Sequence, residues 1–180
     1  MKSRGGYLLL ESVMSLAIIS TIVAILYTII FLSSNIKTSL EDKVELQQQA
    51  IEISRHIEEV IGNSMGIISI TPKDNNNETL RDVVSIKCKY KDSTLNPDST
   101  IKNKEISLKK DLDKLFINTV TANGISESGG YEIGDYIDNL YIGMSDDNKC
   151  ANILLKLSKN NQTYETKFRV YIRNFKGDAV

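Results

Sequence analysis

The stretch KSRGGYLLLESVMSL, residues 2–16, sets Lys2, Arg4 and the pair Gly5-Gly6 ahead of an apolar run that carries one charge, Glu11. From Ser12 to Ile36 there follow 25 residues without a charged side chain, rich in Ile, Leu, Val and Ala, and the next charge is Lys37. A helix rises about 1.5 Å per residue, so roughly 20 apolar residues cross a hydrocarbon core of about 30 Å. The run is long enough to span a membrane. A secretory signal would have a shorter apolar region followed by an Ala-x-Ala-type site, and the sequence has neither. With Lys2 and Arg4 ahead of the run, the positive-inside rule places the head of the chain in the cytoplasm and the residues beyond about Lys37 outside it.

Beyond Ile36 the pattern changes. Leu46, Ala50, Ile53, Ile57 and Val60 recur at steps of three and four, with Leu40, Val44 and Ile51 widening the stripe, and charged or amide side chains between them. That spacing predicts an amphipathic helix ending at Gly62-Asn63, continuous with the apolar one from Tyr7 to Ile61. A stalk of coiled coil, the alternative, would need a longer heptad run. Past Gly62 the period falls to two. Val84, Ile86, Cys88 and Tyr90 alternate with Ser85, Lys87 and Lys89, and Ile153, Leu155 and Leu157 pair with Tyr164, Thr166, Phe168, Val170 and Ile172 as a hairpin turning at residues 159–162. Weaker strands are expected at 66–71, 115–121 and 139–144, with loops at 72–79, 93–99 and 122–130. The expectation is an α+β chain, a long N-terminal helix packed on an antiparallel β-sheet head. Its segments are 1–6 as leader, 7–36 as spanning helix, 37–62 as amphipathic continuation and 63–180 as extracytoplasmic head.

The 180 residues leave one modest domain outside the membrane, and removing Lys2, Arg4 and Glu11 leaves that part near −2. A near-neutral head without a basic stripe gives no reason to expect direct nucleic-acid binding. One histidine, His56, lies within the helical pattern, and no Cys-His pair, zinc spacing or phosphate-cradling glycine loop accompanies it. No enzyme activity, cofactor or metal is expected. Asp74, Asn76 and Glu78 alternate like the start of a calcium loop, but Thr79 and Ser85 stand where its Gly and closing Glu belong. Asp146, Asp147 and Asn148 read as a turn, and Asn77 and Asn161 fit the glycosylation acceptor pattern. Cys88 and Cys150 are candidates for one disulfide across the sheet or for two buried free thiols.

Lys2, Arg4, Gly6, Tyr7 and Glu11 together resemble the N-terminus of the type IV pilin family, pseudopilins and competence pilins included. The resemblance implies cleavage between Gly6 and Tyr7 by a prepilin peptidase and N-methylation of Tyr7, which stands where Phe is usual. Glu11 then becomes the fifth residue of the mature chain. There it would face the Tyr7 amine of a neighbouring subunit as an assembly charge pair, with other pilin subunits, the cytoplasmic membrane and an assembly platform as partners. The alternative for Glu11 is a carboxylate protonated or snorkelling at the interface. The close FRVYIRN, residues 168–174, resembles minor pilins and pseudopilins of the W and J classes and the F-class competence pilin. No Pro interrupts the first helix, which carries Thr28 where many major pilins have one. The resemblance therefore points to a minor subunit of a pilus, competence pilus or secretion pseudopilus. The reading from another class is a bitopic anchored binding domain, never cut and never polymerised.

Overall fold

The computed structural model describes residues 5–73, 80–90, 102–121, 124–127 and 129–175. One helix, α1 (Gly5–Gly62), is followed by eight strands: β1 (Gly66–Pro72), β2 (Arg81–Lys89), β3 (Asn103–Lys109), β4 (Lys114–Val120), β5 (Tyr131–Gly134), β6 (Ile137–Met144), β7 (Cys150–Lys159) and β8 (Gln162–Tyr171). The fold is α+β, a long N-terminal helix packed on an antiparallel sheet. The chain divides into two compact units, Met1–Glu41 and Asp42–Val180. The first is the apolar part of α1. The second holds the remainder of α1 and all the strands.

In the second unit the strands run in the order β5-β4-β3-β2-β6-β7-β8, with β1 added on β2, and every pairing is antiparallel. The buried line of α1 is Asp42, Leu46, Ala50, Ile53, Ile57, Val60 and Ile61. Steps of three and four hold these side chains on one face. They meet Ile86, Ile106, Leu115, Leu140, Ile153 and Leu155 of the sheet, all fully buried. Burial of each large side chain contributes about 1.5–3 kcal/mol relative to exposure. Leu40, Val44 and Ile51 do not widen this face as the sequence suggested, being 57%, 52% and 64% exposed. At about 100° per residue they fall roughly 140° round the helix from the buried line, beyond the reach of the sheet.

Close approach of helix and sheet depends on Gly134 in β5. A Cβ there would lie 2.3 Å from two side-chain carbons of Ile53, which is itself fully buried. Two polar arrangements fix the packed length of α1. At its start Asn160 Nδ2 donates to Asp42 at 2.8 Å, and Lys159 Nζ reaches Glu45 at 2.5 Å and Asp42 at 3.4 Å. The hydrogen bond to Glu45 holds the Lys159 ammonium above the ordinary lysine value. Its stabilisation is therefore fully present below that value, across the neutral range, and is lost only as pH rises through the elevated one.

At the other end the helix stops because the head takes up its last carbonyls. Tyr90 Oη donates to Val60 O at 2.5 Å, Ser64 Oγ to Ile61 O at 2.6 Å, the Arg173 amide to Gly62 O at 2.9 Å and Asn174 Nδ2 to Asn63 O at 3.3 Å. These are acceptors that a helix end leaves without an intrahelical partner. Burial, followed by the nearby Cys88 and Glu59, pushes the Tyr90 phenol above its usual range, so it stays a neutral donor.

The sequence-read strands 66–71, 115–121, 139–144 and the closing hairpin correspond to β1, β4, β6 and β7–β8, whose turn is Asn160-Asn161 with Asn160 at φ 51°. β3 and β5 were not anticipated. In β2 the alternation breaks at Val84, which is 39% exposed while Val83 is fully buried. Thr71 pairs with Ser85 and Pro72 with Val83, so Val84 is the extra residue of a bulge that reverses side-chain parity. The expected loop at 93–99, and residues 74–79 of the loop at 72–79, lie outside the described residues.

Replacing Tyr90 by Phe removes one donor and leaves the Val60 carbonyl unpaired beneath the sheet. The expected loss is about 1–3 kcal/mol of unfolding free energy with unchanged far-ultraviolet dichroism. Denaturant titration measures it, and equal stability of the two proteins would mean that the contact contributes nothing.

Candidate functional site

The sequence-read site lies in the first unit. Gly5 and Gly6 open the helix, Tyr7 is the next residue, and Glu11 follows one turn later. Glycine costs about 1 kcal/mol per position in a helix relative to alanine, so the Gly6-Tyr7 junction sits in the weakest part of α1. Lys2 and Arg4, the expected topology signal, lie outside the described residues.

From Tyr7 onward the surface of this unit is almost wholly apolar. Tyr7 is 78% exposed, and Leu8, Leu9, Leu10, Val13 and Met14 are more than half exposed, as are the large apolar residues from Leu16 to Ile36. The most apolar 18-residue window has a mean hydropathy of 2.5 and no buried residues, so the helix is long and apolar enough to cross a membrane. Several of its hydroxyls are turned inward. Ser12 donates to Leu8 O at 2.8 Å, Ser15 to Glu11 O at 2.8 Å, Thr21 to Ala17 O at 2.9 Å and Thr28 to Ala24 O at 2.8 Å. Each of these four hydroxyls satisfies itself on the preceding turn, which suits a helix surrounded by hydrocarbon.

Glu11 has no such solution. Among the described residues no cation or donor meets its carboxylate, although Lys37 and Glu41, at the far end of the unit, form an exposed pair at 3.7 Å. A charge within a spanning helix costs about 2.5–3.5 kcal/mol at the bilayer centre and less toward its edge, and is normally paired. Tyr7 is the nearest residue able to supply a cation, and only if its backbone nitrogen becomes a free amine. The structure thus brings Gly6, Tyr7 and Glu11 onto one turn and the next, within a helix offering no other charge as far as Lys37.

The other candidates fall elsewhere. Cys88 and Cys150 are both buried free thiols, so the proposed disulfide is not formed. Cys88 stands near the end of β2, where it pairs with Ile67 and Lys104, whereas β2 meets β6 only through Arg81 and Asp82. Cys150 opens β7, on the far side of β6. The two thiols belong to different parts of the sheet. Burial pushes the Cys88 thiol up to about 12.

His56 packs edge-on to the Tyr131 ring at 6.4 Å, a boundary contact. Asp147 closes a turn, accepting from Ser145 Oγ at 2.5 Å and the Lys149 amide at 3.1 Å, which hold its carboxyl below the usual range. Asn161 is exposed at the tip of the last hairpin, while Asp74, Asn76, Asn77, Glu78 and Thr79 lie outside the described residues. Among the described residues no three His, Cys, Asp or Glu side chains converge as metal ligands. A shallow cavity of about 270 Å³ between the end of α1 and β8 is lined by Glu58, Gly62, Arg169, Val170, Tyr171 and Arg173. Sequence reasoning missed the capping role of Tyr90. Its only signal there was a hydroxyl at the end of an alternating strand.

Because the thiolate of Cys88 is disfavoured and its sulfur buried, the native protein at pH 8 should leave that thiol unlabelled by a maleimide over minutes. Denaturation without reductant should expose two reactive thiols per chain. A count of none would establish the disulfide, and rapid native labelling of Cys88 would contradict the packing of β2.

Comparison of the chain with family models, curated proteins and solved structures returned no match.

Proposed function

We propose that this protein is a structural subunit of a type IV pilus, competence pilus or type II secretion pseudopilus, a minor pilin or pseudopilin. It is cut between Gly6 and Tyr7 by a prepilin peptidase and assembled through its N-terminal helix. The observation that carries this reading is Glu11, a carboxylate without a partner among the described residues, at the head of an exposed apolar helix and one turn from a Gly-Tyr junction. The chain sits in the cytoplasmic membrane with Lys2 and Arg4 inside and the sheet-bearing unit outside.

Cleavage turns the Tyr7 nitrogen into an amine, the cation that the stretch from Tyr7 to Ile36 otherwise lacks. About 6 Å of rise separates it from Glu11 on its own helix, so Glu11 of one copy and the Tyr7 amine of another pair when two helices are staggered by that amount. In a low-dielectric bundle this attraction offsets the desolvation of both groups and rewards only the right axial register. The exposed Leu40, Val44 and Ile51 supply apolar surface for neighbouring helices beyond the membrane.

The N-terminal peptide of the protein from the membrane or sheared filament fraction tests processing by its mass. It should begin at Tyr7 and carry one added methyl group, and Gly6→Val should leave the full-length precursor in the membrane. A peptide beginning at Met1 or Lys2 would make the chain an uncut, bitopic anchored domain. Glu11→Leu separates assembly from insertion. The variant should still fractionate with membranes while its incorporation into filaments falls roughly a hundredfold or more, the equivalent of about 3 kcal/mol for breaking a buried pair. Undiminished incorporation would remove Glu11 from the assembly mechanism.

A further inference from the structure

The sheet has three outer strands, and only one is a long, regular edge. β5 has four residues, and β1 carries Pro72 and two register shifts. β8 has ten residues, no proline, and ten consecutive pairings with β7 without a shift. Short length, proline and bulges are how edge strands are kept from pairing with other chains, and β8 uses none of them.

The register sets which of its backbone groups are free. The amide of Ile172 donates to Lys149 O on the β7 side, whereas that of Arg173 turns the other way to Gly62 O. Alternation along the unshifted strand points the amides and carbonyls of Thr163, Glu165, Lys167 and Arg169 away from β7. Among the described residues nothing bonds them, and all four residues are exposed. From Val170 onward the last turn of α1 lies against the strand. The free stretch is therefore closed at Val170 and open at the hairpin turn.

The side chains along this stretch carry an unbalanced charge. Glu165 is taken up by Lys156 at 2.8 Å. Lys167 and Arg173 have no acidic partner among the described residues, and Arg169 has a neutral one, its Nε donating to Asn152 Oδ1 at 2.8 Å. Arg169 and Arg173 line the cavity at the end of α1, where Glu58 is the one carboxylate. Tyr164 and Phe168, half-buried against the core, leave apolar surface on the inner side of the edge.

We propose that this edge docks an extended acidic segment of another protein, antiparallel to β8. Its residues opposite Glu165, Lys167 and Arg169 exchange backbone hydrogen bonds with those three, and two of them, one residue apart, place carboxylates across from Lys167 and Arg169. Opposite charges directly across strands are favourable and like charges unfavourable, so a basic segment is disfavoured at the same two places. The residues between them set apolar side chains against Thr166 and Phe168. Main-chain pairing supplies the affinity of such an added strand, and its alternate side chains supply the specificity. The pairing begins opposite Arg169, because α1 closes the edge beyond it, and runs out past Thr163. It uses neither Gly6 nor Glu11 and stands apart from the proposed processing and assembly.

The test is fluorescence anisotropy with the full chain in nonionic detergent. The probe is an acetylated heptapeptide with glutamate at its first and third positions, threonine at its fifth and seventh, valine between them, and the dye at its C-terminal end. In the antiparallel register its glutamates face Arg169 and Lys167 and its first threonine faces Glu165. It should bind roughly tenfold or more tightly than the same peptide with lysine in place of both glutamates. Lys167→Glu, a change at an exposed side chain, should erase that preference. A peptide N-methylated at both glutamates keeps the charge but has no amides to give to Lys167 and Arg169, and should bind at least tenfold more weakly. The proposal is overturned by no binding, by equal affinity for the acidic and basic peptides, or by a preference that survives Lys167→Glu. Binding unchanged by N-methylation would reduce the site to a patch for any anion and overturn it too. So would a dimer of the chain that Lys167→Glu dissociates, which would give the edge to a second copy.

Discussion

The buried line of α1 from Asp42 to Ile61 is the constraint on which the rest of the fold depends. Eight antiparallel strands present one apolar face, and a single helix face of steps three and four is what covers it. The line is held at both ends by polar contacts that apolar packing alone could not place. Asp42 and Glu45 receive the hairpin tip through Asn160 and Lys159, and Tyr90, Ser64, Arg173 and Asn174 close the final carbonyls. Apolar packing supplies most of the free energy, and these directional contacts fix which turn of the helix meets which strand.

Much of this was legible in the sequence because period dominates it. Leu46, Ala50, Ile53, Ile57 and Val60 lie on the expected buried line, and β7–β8 formed with the expected turn. The failures have particular causes. Leu40, Val44 and Ile51 are apolar but face away from the sheet, because apolar character marks a face only where a partner exists to cover it. Val84 was assigned to the buried side because a bulge cannot be seen as a break in alternation when Val83 and Val84 are chemically equal. β3 was missed because only Ile106 and Leu108 interrupt a lysine-rich run, although it lies between β2 and β4. The candidate site was legible as a spacing of Gly, Tyr and Glu, since that depends on chain order alone. The separation of Cys88 from Cys150 was not, since it depends on strand order.

The two halves of α1 handle polar groups in ways that match different surroundings. In the apolar half, Ser12, Ser15, Thr21 and Thr28 bond back to the helix itself and present no free donor outward. In the packed half, polar side chains bond across to strands and turns. This division explains why one uninterrupted helix can carry both parts. The backbone ladder is common to them, and only the side-chain chemistry changes near Asp42.

Two carboxylates on this helix make the point most sharply. Asp42, 8% exposed, has an amide and an ammonium brought to it by a turn more than a hundred residues later in the chain. Glu11, on a helix long and apolar enough to cross a membrane, has neither among the described residues. A fold that places Asn160 and Lys159 on Asp42 resolves one buried carboxylate from within. For Glu11 the nearest cation is the amine that the proposed cleavage before Tyr7 would create, and the proposed assembly supplies it from a neighbouring copy. An internal partner makes Asp42 a fastening of the head. The lack of one among the described residues leaves Glu11 open to the pairing between copies proposed above.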